Sequence, residues 1–149
     1  MRKLLAIACL AALLPGCAGP GQDLPAEWRG RNLDEPGWES VTIPANWSYG
    51  VEYYLPAGRT LAWDWVAFTN GSLYFQLALN GQSAPLRSGH GNEGKGTYTT
   101  RLTGVYVLSW GLDGLPDTRL FHKLPEGGLP QQWPPGEGPD CPPFGFKAC

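Results

Sequence analysis

Residues able to do chemistry are few in this chain: two histidines, scattered carboxylates, and cysteines near its two ends. Nucleophilic catalysis needs a Ser or Cys beside a base, with a third group orienting that base. The imidazole bases are His90 and His122. His90 stands in Gly89-His90-Gly91, inside a Gly-rich stretch expected to be a mobile loop, where a base is poorly held. His122 alternates with Leu120 and Leu124 on an expected strand, which makes it a satisfied or edge histidine. No nucleophile elbow, phosphate-cradling Gly loop with Lys, or HExxH pattern occurs. Glu52 and Asp64 flank aromatic residues on strands expected to be neighbours, the one pairing suited to the acid and base work of a glycoside hydrolase. The plainer reading puts both on the solvent face of a half-buried sheet. Asp113 and Asp117 bracket a turn that offers two oxygen ligands to calcium without the remaining ones. Cys141 and Cys149, without neighbouring His, do not make a zinc-ligand set, so neither a metal nor a cofactor is expected.

Aromatic residues are the more informative feature. Tyr53, Tyr54, Trp63, Trp65, Tyr74, Phe75, Tyr106 and Trp110 all fall on expected strands. Successive strand residues face opposite ways, so one ring of Tyr53-Tyr54 must face away from the core. Exposed rings on a sheet either stack against sugars or form the hot spot of a protein interface. Tyr54, Trp63, Trp65 and Trp110 are the candidates for such a ligand-stacking face. The competing reading uses the same rings to fill a small core, with the terminal arms covering the remainder.

The elements that must position these residues are strands. In Leu61–Phe68, Leu61, Trp63, Trp65 and Ala67 share one face and Asp64 takes the other, a period of two. Leu73–Leu79 repeats the pattern, with Leu73, Phe75, Leu77 and Leu79 opposite Gln76. Asn70-Gly71 between them predicts a hairpin, and Asn80-Gly81 another turn. Further strands are expected at Ser40–Ile43, Val51–Leu55, Thr97–Leu102, Val105–Trp110 and Arg119–Leu124. Pro85–Gly96 is expected to be the longest internal loop. The fold class that follows is all-β: a small antiparallel β-sandwich of about seven to eight strands.

The ends set the address. Arg2 and Lys3, the apolar run Leu4–Leu14 and small residues about Gly16 have the layout of a secretory signal, too short to span a bilayer. The run ends in Leu14-Pro15-Gly16-Cys17, which resembles the lipobox of bacterial lipoproteins, with Pro departing from the usual second position. That resemblance implies cleavage before Cys17, a diacylglyceryl group on its sulfur, and a location in the cell envelope, with Ala18 after it favouring the outer membrane. Two or three acyl chains, at about 0.8 kcal/mol per buried methylene, hold a protein almost permanently. The organisation expected is a signal peptide over 1–16, a lipidated end and tether over 17–37, a sandwich over 38–124, and an irregular Pro/Gly-rich arm over 125–149. In an oxidising compartment Cys141 and Cys149 form the default disulfide of that arm. Without Arg2 and Lys3 the 11 basic residues fall to nine against 13 acidic ones, which argues against a nucleic-acid partner.

Tyr54-Leu55-Pro56-Ala57-Gly58, the strand from Leu61, and Gly104-Val105-Tyr106-Val107-Leu108-Ser109-Trp110 before Gly111-Leu112-Asp113-Gly114 resemble the GOLD-type β-sandwich of cargo-transport and envelope proteins. The usual Asn of that last pattern is replaced here by Leu112 or Asp113. The resemblance implies an interaction domain without a catalytic set. The expected function is therefore a non-enzymatic, membrane-anchored module that meets an envelope protein. A carbohydrate-binding module is the alternative, and a hydrolase built on Glu52 and Asp64 ranks third.

Overall fold

Alternation decides which face of each strand is buried, and pairing decides the sheets. The computed structural model describes residues 27–112 and 114–135, and over them the chain is all-β, with no helix. A short ribbon comes first, β1 (Glu27–Trp28) with β2 (Arg31–Asn32). Then follow β3 (Glu39–Ile43), β4 (Ser48–Leu55), β5 (Thr60–Phe68), β6 (Leu73–Leu79) and β7 (Arg87–Gly91). The last four are β8 (Glu93–Thr99), β9 (Gly104–Gly111), β10 (Thr118–Lys123) and β11 (Leu129–Trp133). One sheet has the order β3-β10-β5-β8 and the other β11-β4-β9-β6-β7, with every pairing antiparallel. The result is the small β-sandwich expected from the sequence.

Its core is built from rings that alternation turns inward. Trp63 and Trp65 of β5 meet Phe75 of β6 at 5.6 and 5.9 Å between centroids, and Phe75 meets Trp110 of β9 at 5.6 Å. Each such ring removes about 150–250 Å² from water, worth about 4–6 kcal/mol at 25 cal/mol per Å² before the entropy loss is set against it. The faces expected for Leu61–Phe68 and Leu73–Leu79 are the faces found, with Leu61, Trp63, Trp65, Ala67, Leu73, Phe75, Leu77 and Leu79 all buried.

Four local expectations are corrected. Asn70-Gly71 does not close a hairpin: β5 and β6 lie in different sheets, and neither residue has a positive φ. The connection is an arch across the sandwich, packed so closely that a Cβ on Gly71 would collide with Leu115. Pro85–Gly96 is not a loop but carries β7 and the first half of β8, one in each sheet. Gly94 and Gly96 face inward there, and a Cβ would lie 2.5 Å from Trp65 Nε1 or 2.6 Å from Trp63 Cζ2. These glycines make room for two indoles. The arm after Leu124 is not wholly irregular, because β11 joins β4 as an edge strand, where the missing amide of Pro130 costs no central ladder bond. The tether is likewise shorter than 17–37, since Trp28 stacks on Phe68 at 4.5 Å and Arg31 bonds to Asp64 at 2.7 Å.

Candidate functional site

Pairing separates the carboxylates that were candidates for acid and base work. Glu52 lies on β4 of the five-stranded sheet and Asp64 on β5 of the four-stranded sheet, and each faces outward, so the sandwich stands between them. Asp64 instead accepts from Arg31 Nε at 2.7 Å and lies 3.7 Å from Lys95 Nζ. Arg31 also reaches Glu93 at 2.6 Å, and Glu93 takes Arg29 at 3.1 Å. Burial works against the Arg31 charge, but the bonds to Asp64 and Glu93 outweigh it and hold its pKa raised. The same bonds, from Arg31 first and then Arg29, lower that of Glu93. This cluster clamps the ribbon to the outer face of the four-stranded sheet, beside an open groove of about 710 Å³ lined by Trp38, Asp64, Lys95 and Lys123 among others.

His122 is in the core, as the alternation with Leu120 indicated. Tyr49 Oη lies 3.0 Å from its Nε2, and the rings of Tyr49, Trp110 and His122 are near-parallel at 5.4 to 5.9 Å. Nδ1 is enclosed without a hydrogen-bond partner. Burial lowers the His122 pKa, opposed by the charge of Glu39, its neighbour across β10 and β3. Burial, with a smaller push from Glu39, raises the Tyr49 phenol to about 12. Both groups are held neutral. The cluster backs a cleft of about 310 Å³ between the edges β3 and β11, lined by Glu39, Ser40 and Gln132 among others. With Nε2 taken by Tyr49 and Nδ1 shut away, the imidazole offers no free group at the mouth of that cleft. His90, expected in a loop, is on the edge strand β7, exposed, with its ring 4.9 Å from that of Tyr74.

The aromatic candidates divide sharply. Trp63, Trp65 and Trp110 are core residues and present no stacking surface. Tyr54 alone of the four is outside, 74 % exposed on the outward face of β4. Its neighbour Tyr53 faces inward and donates to Pro125 O at 2.9 Å, so the opposed directions expected of this pair are those found. The other large apolar residues exposed among those described are Leu102 and Leu129. Leu129 pairs with Glu52, two positions from Tyr54 on the same face, and Leu102 lies in the β8–β9 connection beside the Leu55–Gly104 pair. All three therefore gather at one end of the five-stranded sheet.

Asp117 Oδ1 accepts from Ala45 N at 2.8 Å and so serves a turn, while Asp113 lies outside the described residues. Among the described residues no three His, Cys, Asp or Glu side chains gather as metal ligands. Cys17, Cys141 and Cys149 lie outside the described residues. Sequence reasoning missed the Arg31 cluster, whose partners are 33 and 62 positions away in the chain and leave no local pattern. No protein-family model matches the chain, and a search of curated proteins returns no match.

Proposed function

We propose that this chain is an exported, lipid-anchored protein of the cell envelope whose sandwich is a non-catalytic interaction module for another envelope protein. The anchor rests on Leu14-Pro15-Gly16-Cys17, and the short GOLD-type resemblance points to the same class of domain. The observation that carries the binding part is the exposed end Tyr54, Leu102 and Leu129, left over after the tryptophans are spent on the core. An exposed tyrosine at the same end of the sheet as two exposed leucines has the composition of a protein hot spot, where an amphipathic ring is buried on binding. A glycan-binding face needs rings in a row, and one ring does not make a platform for successive sugars.

The test joins anchor and surface. Labelled palmitate enters the wild-type protein and not the Cys17→Ser variant. A photoreactive aromatic residue at position 54 crosslinks in cells to a defined envelope protein, whereas the same probe at exposed Gln82 does not. Absence of acylation removes the anchor. Binding on a glycan array that disappears in Tyr54→Ala replaces the protein partner with a carbohydrate.

A further inference from the structure

Alternation turns four side chains of β5 and β8 outward beside the ribbon, Ala62 across from Thr97 and Asp64 across from Lys95. Lys123 of β10 is the partner of Asp64 on its other side, so one carboxylate stands between two lysines. The short Ala62 and Thr97 form the floor of the groove of about 710 Å³, a volume within the roughly 300–1,000 Å³ of small-molecule sites. Two successive turns after the ribbon supply more of its lining. Glu35 N donates to Asn32 O at 3.2 Å, and Trp38 N to Glu35 O at 3.4 Å. Gly37, with φ near 95°, lets the second turn close over Lys123, whose Cε would lie 3.3 Å from a Cβ at that position.

The groove carries more cation than its own carboxylates use. Arg31, Lys95 and Lys123 line it against Glu35 and Asp64, one positive charge in excess on a chain with 13 acidic and 11 basic residues. Arg31 takes Asp64 at 2.7 Å and Lys123 takes Glu35 at 3.2 Å. Lys95 is left over, 77 % exposed and 3.7 Å from Asp64 Oδ2, beyond hydrogen-bond length. Two further donors are unused among the described residues. Asn32 spends only Oδ1, on Asp34 N at 3.1 Å, and the Thr97 hydroxyl makes no hydrogen bond. Trp38 is half-buried, yet its indole meets no other ring and no guanidinium among the described residues. An indole with an uncommitted face beside such donors suits a ligand that is flat and apolar on one side and polar around its rim.

We propose that this groove binds a single acidic sugar, a hexuronate residue, with its carboxylate on Lys95, its pyranose ring on Trp38 and its hydroxyls on Asn32 Nδ2 and Thr97. A neutral sugar leaves the extra ammonium unanswered, and a bare phosphate leaves the indole unanswered. One ring serves one sugar, so the site takes a lone residue and not a run of them. It lies on the other sheet from Tyr54 and is independent of what meets that end.

Titration of the detergent-solubilised mature protein, followed by calorimetry and by the amide shifts of Gly96 and Thr97, tests the assignment. Methyl β-glucuronide binds about tenfold more tightly than methyl β-glucoside, the worth of one charge-assisted bond. Lys95→Met brings the two sugars to the same affinity, Trp38→Leu weakens both, and Tyr54→Ala changes neither. Lys95 is exposed, so its variant reports binding even where Trp38→Leu disturbs the fold. A preference for the glycoside over free glucuronate assigns the groove to the end of a glycan, and equal binding assigns it to the free sugar acid; both support the site. Equal affinity for glucoside and glucuronide in the wild type overturns the proposal, as does the absence of shifts at Gly96 and Thr97. Inorganic phosphate binding as tightly as the glucuronide marks a plain anion site and overturns it equally.

Discussion

Two glycines five positions apart, both in a stretch whose composition reads as a loop, answer oppositely to alanine. At Gly94 the new Cβ lies 2.5 Å from Trp65 Nε1, 2.8 Å from Cε2 and 3.1 Å from Cζ2. Trp65 is fully enclosed, between Phe75 at 5.9 Å and Trp110 at 6.2 Å, so the indole has no empty side to move toward. Overpacking of this kind costs about 1–3 kcal/mol, and a rigid ring pressed by a strand backbone belongs near about 2 kcal/mol. At Gly89 nothing stands within 4 Å of the new Cβ and φ is ordinary, so alanine only narrows the unfolded ensemble and stabilises by about 0.4–1 kcal/mol. For a domain of this size about 2 kcal/mol lowers the melting temperature by about 6–12 °C. Urea and thermal unfolding of the two variants, followed by tryptophan fluorescence, give the comparison. Equal effects of Gly94→Ala and Gly89→Ala would show that β8 does not press on the core, and the reading of these glycines would fail.

His122 predicts a pH dependence of stability. Its folded pKa is lowered, so below about pH 6.5 the unfolded chain binds a proton that the fold refuses, and stability falls as the pH is lowered through that window. Above pH 7 this group contributes no slope. Unfolding free energies between pH 5 and 7.5 should lose that component in His122→Gln, and a slope unchanged from the wild type refutes the assignment. Arg31→Met removes the bonds to Asp64 and Glu93 together. Partly buried, charge-assisted bonds of this kind are worth about 1.5–3 kcal/mol, discounted here for the exposure of Glu93. The variant should speed proteolysis of the ribbon while leaving near-ultraviolet dichroism of the core unchanged, and resistance equal to the wild type would show that Trp28 alone holds the ribbon.

The period-two pattern made both faces of β5 and β6 legible, because side-chain direction is a local property of a strand. It could not say which sheet each joined. Asn70-Gly71 read as a hairpin on turn chemistry alone, yet the two apolar faces are used against each other, Phe75 on Trp63 and Trp65, which requires an arch between sheets. Glycine misled for a related reason. At Gly81, with φ near 84°, it marks a turn as expected, while at Gly94 and Gly96 it marks the absence of a side chain opposite a tryptophan. Composition cannot separate those uses, since the partner indole is some 30 residues away in the chain. The stacking candidates failed by the same logic that identified them: Trp63 and Trp65 share a face with Leu61 and Ala67, and that face is the core.

A domain this small that spends so many rings inside has consequences for where it can bind. The wide indoles of Trp63 and Trp65 fill the gap between the sheets only because Gly96 and Gly94 give way. The short side chains on the outer faces, Ala62 and Thr97 on one sheet and Gly50 and Ser109 on the other, offer a partner little to grip. Strand ends escape this constraint, because a residue such as Tyr54 near the end of β4 has one flank beyond the ladder and can stand free without unpairing the sheet. Recognition placed there leaves the hydrogen-bonded body intact. It also predicts that Tyr54, Leu102 and Leu129 tolerate substitution with stability changes within about 0.5 kcal/mol, so loss of a crosslinked partner in such variants reports contact and not unfolding.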